Sequence, residues 1–225
     1  MKAILSGILL FFFVNIFSQD GKLFQSPWHE KGYAEGELPA GKYHFFNKGK
    51  LFYTISNDNS NVYVNLLVED RSVQERILTQ GLTVWINMDS RLAREMGVRF
   101  PTASKNQAGG DKSGRSGNKT NQNIIITDPH FLPNTIELVG FTSEEERRFP
   151  ADNADNFRGL LKFGKDNILN YKLVMPVAKL PLRNSKEGGG AMPFTLGIEY
   201  GPAKGPSDYK EVLLWIKKIK LATQK

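Results

Sequence analysis

The sequence contains no cysteine, which excludes structural disulfides, thiolate metal centres, cysteine nucleophiles and lipid attachment through an N-terminal cysteine. Histidine is nearly as scarce. The three present, His29, His44 and His130, stand far apart, and each reads as a surface or packed residue rather than a general base. Neither a G-x-S-x-G elbow nor an H-E-x-x-H helix occurs. The densest apolar run is Ile8 to Val14, whereas a spanning helix needs about 20 apolar residues. Basic residues outnumber acidic ones 30 to 23, for a net charge of +7. They are spread along the chain without a reading motif, so the excess argues for solubility and weak attraction to anionic envelope surfaces, not for nucleic-acid binding.

Lys2 followed by the apolar stretch Ala3 to Phe17, interrupted only by Ser6, Gly7 and Asn15, has the layout of a signal peptide. Residues 1–18 are therefore expected to be removed after Ser18. The mature chain would then be exported, periplasmic or secreted, with no transmembrane span. Residues 19–45, with Gly21, Pro27, Gly32, Gly36, Pro39 and Gly41, read as an irregular lead-in lying across the domain. Residues 46–225 read as one domain, large enough to stand on its core without covalent staples. Within it, residues 102–123 are rich in Gly, Lys, Asn and Ser and are expected to form a mobile loop.

Period-two alternation dominates the domain. Lys50–Ser56 and Val62–Val68 alternate around Asn57, Asp58, Asn59, Ser60 and Asn61, a pattern that predicts a hairpin. Asp70–Gln80 switches to helical spacing through Val73, Ile77 and Leu78, with Ser72 as N-cap, Glu75 three residues on and Gly81 as the stop. Leu82–Met88 returns to strand alternation. Arg91–Met96 suggests a helical turn, and Gly97–Phe100 a short strand stopped by Pro101. Further strands are expected at 124–126, 135–141, 157–163, 168–176 and 194–200, with Glu144–Arg148 a charged, solvated excursion. Residues 212–221 fit either a helix or a strand, and strand is preferred. About nine or ten strands with one or two short helices and no βαβ alternation predict an all-β fold, a two-sheet antiparallel β-sandwich of immunoglobulin-like or jelly-roll-like type.

The run Tyr53-Thr54-Ile55-Ser56-Asn57-Asp58, then Val62-Tyr63-Val64, a short helix and Gly81-Leu82-Thr83-Val84-Trp85-Ile86-Asn87 resembles carbohydrate-binding module family 9 and DOMON-like β-sandwiches. Ile136-Glu137-Leu138 and Tyr171-Lys172-Leu173-Val174-Met175-Pro176 extend the likeness over roughly residues 46–221. The resemblance implies a module that binds sugars, or haem or sugars among DOMON relatives, rather than one that cleaves bonds. The family's sugar-clamping Trp pair and metal ligands have no matched motif here and are not carried over.

Candidate chemistry is thin. Glu69 with Asp70, and Asp152 with Asp155, are the carboxylate pairs a hydrolase reading would use, though turn positions explain all four. Gly109 to Ser116 nearly spells a phosphate-binding loop, but it lacks the strand and helix that would flank one. Haem would need Met88, Met96 or His130 as axial ligands, and no cofactor is expected. No metal site is assigned; Asp58, Asn59 and Asn61 form an oxygen-rich turn that could attract calcium. The most useful pattern is aromatic: Trp85 shares a strand face with Thr83 and Asn87, and Tyr63 shares one with Asn65. If the two strands are neighbours, these five residues form an outward platform suited to a sugar, with rings for its C–H faces and amides for its hydroxyls. The expected function is thus a non-catalytic binding module for a glycan or similar polar ligand. The alternatives are an envelope interaction or structural component using a sheet edge or loop 102–123, and a hydrolase with dispersed carboxylates.

Overall fold

The structure is a computed structural model and describes residues 23–28, 43–88, 92–102, 132–141, 148–152, 157–182, 192–201 and 211–223. The expected signal peptide, the phosphate-loop-like segment, the strand at 124–126 and all of the expected loop except Thr102 lie outside these residues, as do His29, His130 and Asp155.

Twelve strands and one α-helix occur among the described residues: β1 (Phe24–Gln25), β2 (His44–Phe46), β3 (Leu51–Asn57), β4 (Asn61–Val68), α1 (Arg71–Gln80), β5 (Leu82–Asn87), β6 (Gly97–Arg99), β7 (Thr135–Val139), β8 (Arg148–Pro150), β9 (Arg158–Phe163), β10 (Leu169–Pro176), β11 (Phe194–Tyr200) and β12 (Val212–Lys220). They form a seven-stranded sheet in the order β1-β12-β11-β5-β6-β7-β8 and a five-stranded sheet in the order β2-β3-β4-β10-β9. All pairings are antiparallel except β1 with β12. The chain is an all-β sandwich.

Alternation explains the stacking. Ile55, Val62, Val64 and Leu173 of the small sheet and Val84, Val98, Ile136, Leu196 and Ile216 of the large one are fully or almost fully buried in one common cluster. Each such aliphatic side chain contributes roughly 1.5–3 kcal/mol on leaving water. The β3–β4 hairpin closes as its polar turn predicts: Asp58 Oδ1 accepts from the backbone N–H groups of Ser60 and Asn61, each at 2.7 Å, and Asp58 N–H donates to Asn61 O at 3.0 Å.

Helix α1 carries the chain from one sheet to the other, burying Val73, Ile77 and Leu78. Its N-cap is Asp70, not Ser72. The carboxylate accepts the Ser72 and Val73 N–H groups and also the Ser72 hydroxyl, at 2.6 Å, so the candidate cap is consumed as a donor. Gly81, with φ 87°, ends the helix, in a backbone region that costs glycine little.

Other expectations give way to pairing. Residues 92–96 are not helical, because the segment serves the sheet: Met96 O accepts from Ile86 N at 2.8 Å and Arg94 reaches Glu199 and Glu211. The lead-in is not wholly irregular, since β1 lies within it and β2 runs from its end into the domain, and they pair with β12 and β3. Of the expected excursion at 144–148 only Arg148 is described; it is exposed but starts β8 and grips Glu137 at 2.7 Å. The ambiguous C-terminal stretch is strand β12.

Candidate binding site

The structure separates the two halves of the expected aromatic platform. Tyr63 and Asn65 belong to β4, between β3 and β10 in the five-stranded sheet. Thr83, Trp85 and Asn87 belong to β5, between β11 and β6 in the seven-stranded sheet. Both sets alternate with core residues, so they lie on opposite outer surfaces of the sandwich, and no single ligand of sugar size spans them. The crossover through α1 causes the separation: consecutive strands β4 and β5 lie in different sheets.

On the large sheet Trp85 is a packed residue. It is only 7% exposed, stands between Gly197 and Gly97 in register, and donates its indole N–H to Glu199. Glu199 is held in turn by Arg94 at 3.3 Å, and Arg94 also binds Glu211. Thr83 Oγ1 accepts from Arg99 Nε at 3.2 Å, and Arg99 pairs with Glu137 at 2.9 Å. Asn87 is buried beside them. This outer surface is therefore a tied lattice of rings and ion pairs with little ring area left for a ligand.

The small sheet is different. On its outer surface, Tyr63 stands opposite Val174, which stands opposite Arg158; one step along, Asn65 stands opposite Lys172, which stands opposite Leu160. These residues reach one surface because the nonlocal pairing of β4 with β10 and of β10 with β9 brings three period-two strands into step. A cleft of about 270 Å³ opens here, floored by Leu160, Val174 and Lys172, bordered by Arg158 and Gly159, and walled by Ala151 and Asp152 beyond the sheet edge. The wall is fixed by the Gly159 N–H, which donates to Ala151 O at 2.9 Å. The volume falls just below the roughly 300–1,000 Å³ usual for small-ligand sites, room for about one sugar ring.

The polar groups around the cleft are prearranged. Tyr63 Oη donates to Asp58 Oδ2 at 2.6 Å, and the Lys172 ammonium lies 5.4 Å from the centre of the Tyr63 ring, within cation–π range. Burial, with the Asp58 carboxylate a lesser cause, pushes the Tyr63 phenol up to about 12, so it stays protonated near neutral pH. Partial burial opposes ionisation of Asp58, but hydrogen bonds from Tyr63, Ser60 and Asn61 outweigh it and hold the carboxyl below its ordinary value. Asn65 Nδ2 and Arg158 Nε are buried and make no hydrogen bond, an arrangement that costs on the order of 1–3 kcal/mol per group.

The remaining candidates are dispersed. The calcium-type turn already spends Asp58 on its own backbone and on Tyr63, while Asn59 is exposed and Asn61 only partly buried. Among the described residues no three His, Asp or Glu side chains are gathered as a metal would require. Met88 and Met96 are both half-buried. Asp70 caps α1 and binds Lys50, while Glu69 is exposed beside it. His44 packs its ring 5.4 Å from Phe24 and 5.3 Å from Tyr53. Arg158, Lys172 and Leu160 were not among the sequence candidates. Their outward positions follow from alternation within β9 and β10, but their proximity to Tyr63 depends on which strands pair.

Comparison with known protein families, curated proteins and solved structures yields no match, so function has to be argued from the chain's own residues. Among the described residues, no helix is long and apolar enough to cross a membrane.

Proposed function

We propose that the chain is an exported, non-catalytic binding module for a glycan or similar polar ligand, and that it binds on the outer surface of the five-stranded sheet. The observation that carries this reading is the cleft beside Tyr63, where apolar Leu160 and Val174 lie next to the charged ends of Lys172 and Arg158. A sugar needs that mixture: apolar area for its C–H face and directed donors for its oxygens. A binding role fits better than hydrolysis because only one carboxylate, Asp152, lines the cleft among the described residues, whereas glycoside cleavage uses two. Asp58, Glu137 and Glu199 are engaged in a turn and in ion pairs elsewhere. The test is a glycan array followed by calorimetric titration of the strongest hit, with Leu160→Trp to fill the cleft and Trp85→Phe as a control on the opposite surface. Binding lost in the first variant and kept in the second supports the reading. Binding unchanged by Leu160→Trp overturns the site.

A further inference from the structure

Resting on that reading, we propose that the ligand carries an anionic group, a carboxylate or a phosphate, which seats between Arg158 and Lys172. Arg158 stands opposite Val174, and Lys172 is two residues from Val174 on the same strand surface. The two cations are therefore diagonal neighbours, with backbones about 7–8 Å apart. Both line the cleft, and among the described residues the one acid in its lining, Asp152, sits exposed on the wall, so the described lining carries more positive than negative charge.

The Nε of Arg158 is buried with no hydrogen-bond partner, and the residue lines the cleft. The guanidinium offers donors in a planar fork that matches two oxygens of a carboxylate or phosphate. Across the sheet from Lys172, the almost fully buried Asn65 also keeps an unused Nδ2 donor. An acidic ligand meets these two cations in a partly desolvated site, where charge-assisted bonds are strongest. Lys172 is placed for this by Tyr63, whose ring lies beneath its ammonium and whose own hydroxyl is anchored on Asp58.

The experiment is an NMR titration of the whole mature chain, following the Nε–H signal of Arg158, with glucuronate, glucose 6-phosphate and methyl glucoside as probes. The expected result is a saturable shift with one or both acidic probes and none with the neutral one. Affinity should fall at least tenfold in Arg158→Gln and in Lys172→Gln, each shown by thermal melting to be folded, and should weaken as salt is raised. A carboxylate seat answers to glucuronate and a phosphate seat to glucose 6-phosphate. Methyl glucoside binding as tightly as either acid would overturn the anionic seat and leave the polar-ligand reading standing. No response to any of the three, together with a blank glycan array, would overturn both.

Discussion

The six-membered ring of the Trp215 indole lies against Gly197. The two residues face each other across the β11–β12 pair, and a Cβ placed on Gly197 would stand 2.5 Å from one ring carbon and 2.8 Å from another. One strand further on, the arrangement repeats: Gly97 faces Trp85, and a Cβ there would come within 2.8 Å of that ring and 2.9 Å of a backbone oxygen of Val84. Two bare backbone positions thus let two large rings lie on the outer surface of the seven-stranded sheet. Gly197→Ala is expected to destabilise the fold by about 1–3 kcal/mol, the usual cost of overpacking. The same substitution should cost clearly less in a Trp215→Ala background. Urea denaturation of the four proteins in the cycle measures the coupling.

Asp70 is expected to govern the acid side of the stability profile. Hydrogen bonding from Ser72, followed by that from Lys50, holds its carboxyl well below the ordinary carboxylate range in the folded chain. A carboxyl depressed by folding stabilises above its unfolded value, and that contribution is lost as pH falls through the ordinary range toward the folded value. Asp70→Ala should therefore cost about 1 kcal/mol at neutral pH, as loss of a helix cap does, and less at pH 3. Melting curves at the two pH values test this; an equal loss at both would show that the charge of Asp70 plays no part.

The sandwich was readable from sequence because its cause is local. Val62, Val64, Leu66 and Val68 declare one buried face whatever they pair with, and the same holds for Leu82, Val84 and Ile86. What alternation does not encode is the partner. Tyr63 and Trp85 each carry the sequence signature of an outward ring, yet α1 sends their strands to different sheets. Arg158 and Lys172, fourteen residues apart, meet only because β9 and β10 form a hairpin beside β4. Three of the four shortest strands, β1, β2 and β8, were missed because two or three residues contain no full period and their backbone pairing is imposed by the neighbours, whereas the equally short β6 was marked by the Pro101 that stops it. The Asp70 cap was misread by two residues, since Asp and Ser are equally good caps by type and only the geometry shows which one accepts.

Tyr171 offers a prediction of opposite sign. It points into the core between the sheets, 1% exposed, with its ring 5.6 Å from that of Phe100, and its hydroxyl is buried with no hydrogen-bond partner. A buried hydroxyl without a partner costs roughly 1–3 kcal/mol in lost hydration. Tyr171→Phe removes that group while keeping the ring, and should leave stability unchanged or raise it by up to about 2 kcal/mol. A denaturant midpoint that drops would show that the hydroxyl is satisfied in solution.

Asn57 ties both ends of the described chain to the end of β3. Its Oδ1 accepts from the Ser26 hydroxyl and from the Ala222 N–H at 2.8 Å, while its Nδ2 donates to Ala222 O at 2.9 Å. Ser26 also donates its backbone N–H to Lys220 O at 3.0 Å, so the segment after β1 and the segment after β12 share one buried amide. Only Asn combines an acceptor and two donors in this compact form. Asn57→Ala removes the acceptor shared by the Ser26 hydroxyl and the Ala222 N–H, leaving them only the longer bonds from the Ser26 hydroxyl to Lys220 O and from the Ala222 N–H to Ser26 Oγ, both at 3.2 Å, and should cost roughly 1–3 kcal/mol. Asn57→Asp keeps the shape but loses the donor toward Ala222 O, placing a carboxylate against a carbonyl, and should cost no less. The effect should be local: hydrogen exchange at Ala222 and along the β1–β12 pair should quicken at least tenfold, while Val64 and Leu173 in the β4–β10 centre keep their protection. If exchange quickens equally at the centre, β1 and the C-terminal segment are not a separately opening unit but part of the global fold.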